Sequence, residues 1–171
     1  TRIEIAGRAS LLRLYRFLKK QPGLEKLEFK LNAAECGVRE TRTIVGLETV
    51  TAEEYAAGKK YKDAVSHAFY PIDLHDAKVG LDKRNLAPGI VPTVPRGALI
   101  PRNTRHLLAA GRILSSDRLA NSALRVQATC MATGQAAGAL AALSVRLGVP
   151  AEEIPMPELR RLLEANRAIV P

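Results

Sequence analysis

A long, nearly uncharged run near the C-terminus constrains this chain more than any other feature. Between residues 123 and 147 the only charges are Arg125 and Arg146, and the middle, ATGQAAGALAAL, consists almost entirely of small residues. A helix that is apolar or small on every side is normally buried on every side. The run therefore predicts one long buried helix, and we attribute Gly134 and Gly138 within it to tight helix packing.

The same run has nearly the length of a transmembrane helix, since about 20 apolar residues span a bilayer. Polar side chains interrupt it, however, and Ala and Gly contribute little transfer free energy. The interrupting residues are Gln127, Thr129, Thr133, Gln135 and Ser144. We therefore expect a cytoplasmic protein with no membrane partner.

The composition is that of a globular domain. The chain has 171 residues, 47% of them apolar and 25% charged, which is enough to bury a sizeable core. Because aromatic residues make up only 4% and Trp is absent, the core must be aliphatic and rich in alanine. Predicted helices and strands alternate along the chain, so the expected fold class is mixed α/β.

The net charge of +9 raises the question of a nucleic-acid partner. Most arginines are scattered singly and no RNA-binding aromatic signature is present, so we expect no nucleic acid. A solvated basic surface, or arginines that face phosphates, explains the charge better. Cys36 and Cys130 lack metal-ligand spacing, which predicts no metal site. Two free thiols are the favoured interpretation, and a single disulfide stays open.

Local patterns predict most of the secondary structure. Residues 6–20 form an amphipathic helix, which Gln21-Pro22-Gly23 ends. Thr51 and Glu54 form a capping box that starts a helix at about 52–57. The remaining elements are strands at 24–38, 43–50 and 65–72, a proline-rich edge or extended segment at 89–101, and a helix at 156–165.

A candidate anion site precedes the long helix. Residues 106–110 (HLLAA) predict a short buried strand that breaks at Gly111, and a polar loop then leads to the helix. Asn121 or Ser122 would cap this helix, and Arg125 would add a charge to its first turn. Unpaired N–H groups and the helix dipole make such an N-terminus favourable for negative charge.

At these residues the sequence resembles a known family. LLAAGRILSSDRLANSALRVQATCMATGQAAGALAAL resembles the closing segment of FAD-dependent oxidoreductases, in particular a bacterial family with the signature AGR-x-x-S … S-x-x-R-V … C-x-A-T-G-Q-A-A-G. It is similar, more distantly, to fumarate-reductase-type flavoproteins. GVRETRTIVG (37–46), YPIDLHD (70–76) and VPRGALIP (94–101) match the same bacterial family in order, so the resemblance covers most of the chain.

The resemblance implies an FAD cofactor that exchanges hydride with a small organic substrate. It places Gly111 and Arg112 beside the ribityl and phosphate region of FAD. It turns backbone N–H groups at the predicted helix start toward the pyrimidine edge of the flavin ring, at Ser122, Ala123, Leu124, Arg125 and Val126. It assigns residues 1–104 to a sheet-cap or substrate-side portion and 105–171 to the C-terminal part of the FAD-binding domain.

The chain departs from the family pattern in one respect. Such enzymes hold the ADP part of FAD with a strand–GxGxxG–helix unit, and these 171 residues contain no GxGxxG. We therefore expect the C-terminal portion of a parent enzyme, with weak or absent FAD binding of its own. The alternative is a catalytically inert fragment or stand-alone interaction domain that self-associates through surfaces the missing half would cover.

Two residues are candidates for catalysis. His75 could act as an acid–base group, because Asp73 and Asp76 are close enough in sequence to orient it. A structural histidine in a loop is the open alternative. Arg42, in the charged cluster with Arg39 and Glu40, either binds an anionic substrate or belongs to a local ion-pair network.

Overall fold

The computed structural model describes residues 2–76 and 80–171. Its 42% helix and 13% strand confirm the mixed α/β class. The chain divides into two compact units, with the boundary between Arg39 and Glu40. The assignment of 1–104 and 105–171 to two portions of a parent enzyme stays a prediction.

The first unit consists of one helix and a segment without regular structure. Helix α1 runs over Arg2–Leu18, so the predicted helix is confirmed with an earlier start. The strand predicted at 24–38 is wrong, because this segment is held by side-chain contacts with α1 instead of by a ladder. Tyr15 packs edge-on against Phe29 with ring centroids 5.7 Å apart, and its hydroxyl donates to the Leu27 carbonyl at 3.2 Å.

The second unit combines helices with two small sheets. Its helices are α2 (Ala52–Ala56), α3 (Arg118–Leu124), α4 (Gln127–Leu147) and α5 (Met156–Ala165). Its described strands are β1 (Ala64–His67), β2 (Ile72–Asp76), β3 (Gly80–Arg84) and β4 (Thr93–Pro95). Strand β1 pairs antiparallel with β4, and β2 pairs antiparallel with β3. Short 3-10 turns occupy 96–99, 111–113 and 151–153.

Several local predictions for this unit are confirmed. The capping box is complete, since the Thr51 hydroxyl accepts the Glu54 N–H at 3.2 Å and the Glu54 carboxylate accepts the Thr51 N–H. The helix at 156–165 is observed as α5. The proline-rich segment forms β4 in a two-stranded sheet and then turns, as its prolines require.

Two strand predictions need correction. The strand predicted at 65–72 is divided between β1 and β2, with a break at residues 68–71. The strand predicted at 43–50 is reduced to two isolated bridges, from Gly46 to Pro101 and from Val50 to Ser116. Both errors have the same cause: β-branched composition favours an extended chain, but only a neighbouring strand of matching length makes a ladder.

The buried strand predicted at 106–110 is also wrong. His106 has a φ of 57°, and Leu107 is 51% exposed. The Ala109 N–H donates to the Leu99 carbonyl at 2.9 Å, but in the described parts of the chain no strand lies along this segment. The apolar run is therefore present without the partner that would make it a strand.

The long helix predicted over 123–147 is two helices. Helix α3 ends at Leu124 and α4 begins at Gln127, so Arg125 and Val126 form a junction. The cap prediction is wrong as well, because Asp117, not Asn121 or Ser122, caps α3 by accepting the Ala120 N–H. Helix α3 thus precedes a junction that the sequence pattern did not indicate.

Helix α4 is buried along one side only, which corrects the prediction of burial on every side. Its buried residues are Thr129, Thr133, Ala136, Leu140 and Leu143. Met131 and Val145 are 74% and 86% exposed. By length and composition alone α4 could cross a bilayer, a test that core helices of soluble proteins also pass.

The core of the second unit is aliphatic and rich in alanine, as expected. Helix α4 packs against β1 and α5. The central side chains are Leu99, Leu114, Leu124, Leu140, Leu143, Ile154 and Leu159. Tyr55 is the aromatic exception, and its buried hydroxyl is satisfied by donating to the Tyr70 carbonyl at 2.7 Å.

Close backbone approach occurs at Gly46 and not in α4. A Cβ on Gly46 would lie 2.7 Å from the Ser115 Cβ and 2.8 Å from the Gly97 carbonyl oxygen. The Gly46 N–H also donates to the Ser115 hydroxyl at 3.0 Å. For Gly134 and Gly138 the packing explanation is wrong here, since a Cβ on either would meet no described atom within 4 Å.

We expect Gly46→Ala and Gly134→Ala to change stability in opposite directions. The first inserts a methyl group against backbone that cannot move away, at a cost of about 1–3 kcal/mol. The second adds a better helix former where there is space, and gains about 0.5–1 kcal/mol. Urea unfolding measures both free energies, and equal effects of the two substitutions would contradict the packing described.

Asp117 links two helices, so we expect Asp117→Ala to cost about 2 kcal/mol. One carboxylate oxygen accepts the Ala120 N–H of α3 and the other accepts the Ala52 N–H of α2, both at 2.7 Å. Asp117→Asn keeps one acceptor and should lose about half as much. Thermal unfolding of the three proteins tests the order, and an unchanged Asp117→Ala variant would refute it.

Candidate functional site

The Gly111 turn lies against the first turns of α4. Gly111 has a φ of +72°, a conformation that glycine adopts without strain. Its N–H donates to the buried Thr133 hydroxyl at 3.1 Å, and that hydroxyl donates to the Thr129 carbonyl at 2.8 Å. Because this N–H is already paired, Gly111 can offer a ligand close approach but not a free donor.

Cys130 and Arg112 flank the same turn. A Cβ on Gly111 would lie 3.6 Å from the Cys130 Sγ. Burial raises the pKa of this thiol, and the nearby charge of Arg112 offsets the rise only in part, so the sulfur stays protonated at neutral pH. The Arg112 side chain is exposed, and its carbonyl accepts from the Asn121 amide at 3.2 Å.

The residues predicted at the helix start lie inside α3. Ser122, Ala123 and Leu124 are all buried. The Ser122 hydroxyl accepts the Asp73 N–H at 3.0 Å and donates to the Leu119 carbonyl at 2.6 Å. Because Ser122–Leu124 form the last turn of α3, their backbone N–H groups serve the helix. Their predicted role at the flavin ring stays untested, and the free helix start lies further along.

That free start is the N-terminus of α4. The first intrahelical bond runs from the Cys130 N–H to the Val126 carbonyl at 2.9 Å, so the N–H groups of Gln127, Ala128 and Thr129 precede it. No side chain caps this helix, and its first turn contains no acidic residue. Gln127 and Ala128 are exposed. An uncapped terminus of a 21-residue helix is favourable for negative charge.

Arg125 places a buried guanidinium directly before this terminus. Its side chain is 7% exposed. Its Nη2 donates to the Asp73 carbonyl at 3.0 Å, and its Nε lies 3.5 Å from the Glu40 Oε1. The Nε is buried and makes no hydrogen bond with any described residue. The cation is therefore held in place, and its buried Nε has no hydrogen-bond acceptor among the described residues.

Three distant parts of the sequence meet at this guanidinium. Glu40 belongs to GVRETRTIVG, Asp73 to YPIDLHD and Arg125 to the S-x-x-R-V motif. Arg118 joins them, since its Nη1 bonds Asp76 Oδ2 at 2.7 Å and its Nε lies 3.5 Å from Glu40 Oε2. The junction of α3 and α4, with its uncapped terminus and buried cation, fits an anionic cofactor.

The catalytic candidates stand at different distances from this network. His75 lies on β2, half exposed, with its Nε2 3.5 Å from Asp73 Oδ1, as its sequence position suggested. Asp76 pairs with Arg118 instead. Arg42 and Arg39 are exposed, and Glu40 is the residue of their cluster that enters the ion-pair network.

A cavity lies elsewhere on the second unit. Its volume is about 950 Å³, and it is lined by residues 100–108, by 150–153 and by the second half of α4, including Ala137 and Ala141. The apolar run 106–110, which forms no strand, borders it. This cavity and the α4 N-terminus are separated by roughly three helical turns, so they are different sites.

Sequence reasoning missed the partners of the site residues. Thr133 and Cys130 stand in C-x-A-T-G-Q-A-A-G, and Asp73 and Glu40 stand in motifs that the resemblance had already marked. The sequence therefore marked these four residues as motif positions. It did not show their contacts with Gly111 and Arg125, because those contacts join residues up to 85 positions apart, from Glu40 to Arg125.

Comparison with known proteins adds one result. No curated protein and no solved structure matches the chain. The family model described as FAD dependent oxidoreductase matches residues 1–163, which is nearly the whole length. The motif order and this match agree, and the chain belongs to the FAD-dependent oxidoreductase family.

Proposed function

We propose that this chain supplies the flavin-ring side of an FAD site in an enzyme that passes hydride between FAD and a small organic substrate. The uncapped N-terminus of α4 beside the buried Arg125 carries the proposal. FAD supplies the redox chemistry when bound. The part of the protein is to orient the ring and to stabilise the negative charge that collects at its pyrimidine edge.

In this arrangement the ring edge faces the start of α4. The N–H groups of Gln127, Ala128 and Thr129 and the charge of Arg125 supply positive potential there. Of the residues predicted at the flavin ring, Arg125 and Val126 remain in this proposal. Ser122–Leu124 do not, because they are buried in α3, and the N–H groups at the start of α4 take their place as donors. Gly111 allows close approach, and Arg112 offers an exposed charge to the ribityl and phosphate region.

We propose further that the GxGxxG unit lies outside these 171 residues, in a bacterial cytoplasmic parent enzyme. On this proposal residues 105–171 complete its FAD-binding domain, residues 1–104 face the substrate, and the chain alone binds FAD weakly or not at all. The apolar segment 106–110 supports it, because His106 and Leu107 are exposed and no neighbouring strand lies along the segment among the described residues.

His75 is our candidate for proton transfer to or from the substrate. It is half exposed, and Asp73 contacts both it and Arg125, the first through its carboxylate and the second through its carbonyl. An acid–base group next to the proposed ring site is what such a reaction needs. Arg42, exposed near the start of this unit, is the candidate for holding an anionic part of the substrate.

A catalytically inert interaction domain is the second candidate. Three exposed apolar side chains favour it, Met131 and Val145 of α4 and Leu107, because a partner protein would bury them. Absorption spectra separate the two candidates. Flavin bands in the purified protein that contains these residues support the cofactor site. A full-length protein that stays colourless after FAD titration supports the interaction domain.

We expect Arg125→Met to lower the midpoint potential of FAD in the full-length enzyme. The loss of one partly screened positive charge should destabilise the reduced ring by on the order of 1–2 kcal/mol. This lowers the midpoint potential of a two-electron couple by roughly 20–40 mV. Arg146→Met is the matched control, because Arg146 lies in the last turn of α4, about 30 Å from Arg125. Equal potentials in the wild type and the Arg125→Met variant would refute the site.

We expect segment 106–110 to pair with a strand of the parent enzyme outside these 171 residues, and hydrogen exchange tests this pairing. In this chain alone the amides of His106, Leu107 and Leu108 should exchange rapidly, because no described hydrogen bond protects them. In the full-length enzyme we expect exchange slowed about a hundredfold or more. The Leu140 and Leu143 amides of α4 should be protected in both proteins. Rapid exchange of the segment in the full-length enzyme would contradict the pairing.

A further inference from the structure

We infer that Glu40 is a positioning residue that sets how much positive charge Arg125 presents at the N-terminus of α4. The inference rests on the proposed function, since it concerns the same junction. It goes beyond that proposal because it assigns the strength of the site to a carboxylate 85 positions away in the sequence. Glu40 acts through Arg125 and does not itself contact the ring.

The geometry leaves Arg125 with one carboxylate partner in the described chain. Its Nη2 is bonded to the Asp73 carbonyl, which is a dipole and carries no net charge. Its Nε lies 3.5 Å from Glu40 Oε1, which makes an ion pair without a hydrogen bond. Glu40 therefore neutralises the guanidinium charge only in part, and the buried Nε has no hydrogen-bond acceptor among the described residues.

Glu40 is shared with a second arginine, and this limits what it gives to Arg125. Its other oxygen lies 3.5 Å from Arg118 Nε. Arg118 is 59% exposed and makes its shorter bond, 2.7 Å, to Asp76. Solvent screens Arg118, whereas Arg125 is 7% exposed and screened little. A change at Glu40 is thus felt mainly by Arg125.

The sign of the effect follows from the charges. Positive charge beside the pyrimidine edge favours the reduced, more negative ring and so raises the midpoint potential. Glu40 opposes part of that charge, so it holds the potential lower than Arg125 alone would. Removing the carboxylate should raise the potential, whereas removing the guanidinium should lower it. One ion pair thus predicts two opposite shifts.

The experiment measures FAD midpoint potentials in the full-length, FAD-loaded enzyme and its variants. We expect Glu40→Gln to shift the reduction equilibrium about threefold to tenfold toward the reduced ring, which is about 15–30 mV. In an Arg125→Met background the same substitution should have no effect, because Glu40 acts through Arg125. Glu153→Gln is the matched control: the same charge change on the same unit, beside the far half of α4.

The outcomes separate the inference from the proposed function. If Arg125→Met leaves the potential unchanged, the proposed site itself fails. If Arg125→Met lowers the potential but Glu40→Gln leaves it unchanged or lowers it, only the inference is overturned. A Glu40→Gln shift that persists in the Arg125→Met background, or that Glu153→Gln reproduces, also overturns it. A positive shift that Arg125→Met abolishes supports it.

A readout without FAD and a conservative variant complete the test. In the cofactor-free enzyme Glu40→Gln should lower the melting temperature by several degrees, because a buried charge loses its partner, and it should lower it less when Arg125 is already Met. If Glu40→Gln does not fold, Glu40→Asp keeps the charge but shortens its reach. It should then raise the potential by a smaller amount, and no rise would overturn the inference.

Discussion

The burial of one guanidinium organises the second unit of this protein. The Arg125 side chain is 7% exposed, and an unpaired charge that is buried to this degree costs several kcal/mol. Its partners come from the segment after residue 39 and from strand β2, so this side chain joins both to the end of α3. The Ser122 hydroxyl strengthens the same junction by accepting the Asp73 N–H. A structural requirement and a helix terminus that is favourable for negative charge therefore coincide at one point of the chain.

The break between α3 and α4 gives that point its chemistry. In one continuous helix the N–H groups of residues 127–129 would be paired with carbonyls of the preceding turn. Because α3 ends at Leu124 and α4 begins again at Gln127, a second set of unpaired donors appears beside Arg125. The Gly111 turn is fixed against the same helix through Thr133. Two helix ends, one turn and one cation are thus brought together by packing.

Local interactions account for the elements that the sequence predicted well. The capping box at Thr51, the helix at 156–165 and α1 depend on residues within a turn or two of each other, so their patterns are readable in one dimension. The failed strands at 24–38 and 106–110 depended on partners. One segment packs its side chains on α1, and the other has no neighbouring strand in the described chain. The prediction of tight packing at the small-residue run failed for a related reason. Small side chains permit close packing, but they do not ensure that another element packs there.

The sequence by itself determined the family, the aliphatic core and the motifs that hold the site residues, because these depend on composition and on the order of short patterns. It also marked Gly111 and Arg125 as special positions. Only the tertiary structure decided where the free helix terminus lies, that the Gly111 N–H is already bonded, and that Glu40 and Asp73 hold Arg125. The physical reason is range: caps and turns are fixed by near neighbours, whereas the pairing of a buried charge joins residues whose proximity exists only after folding.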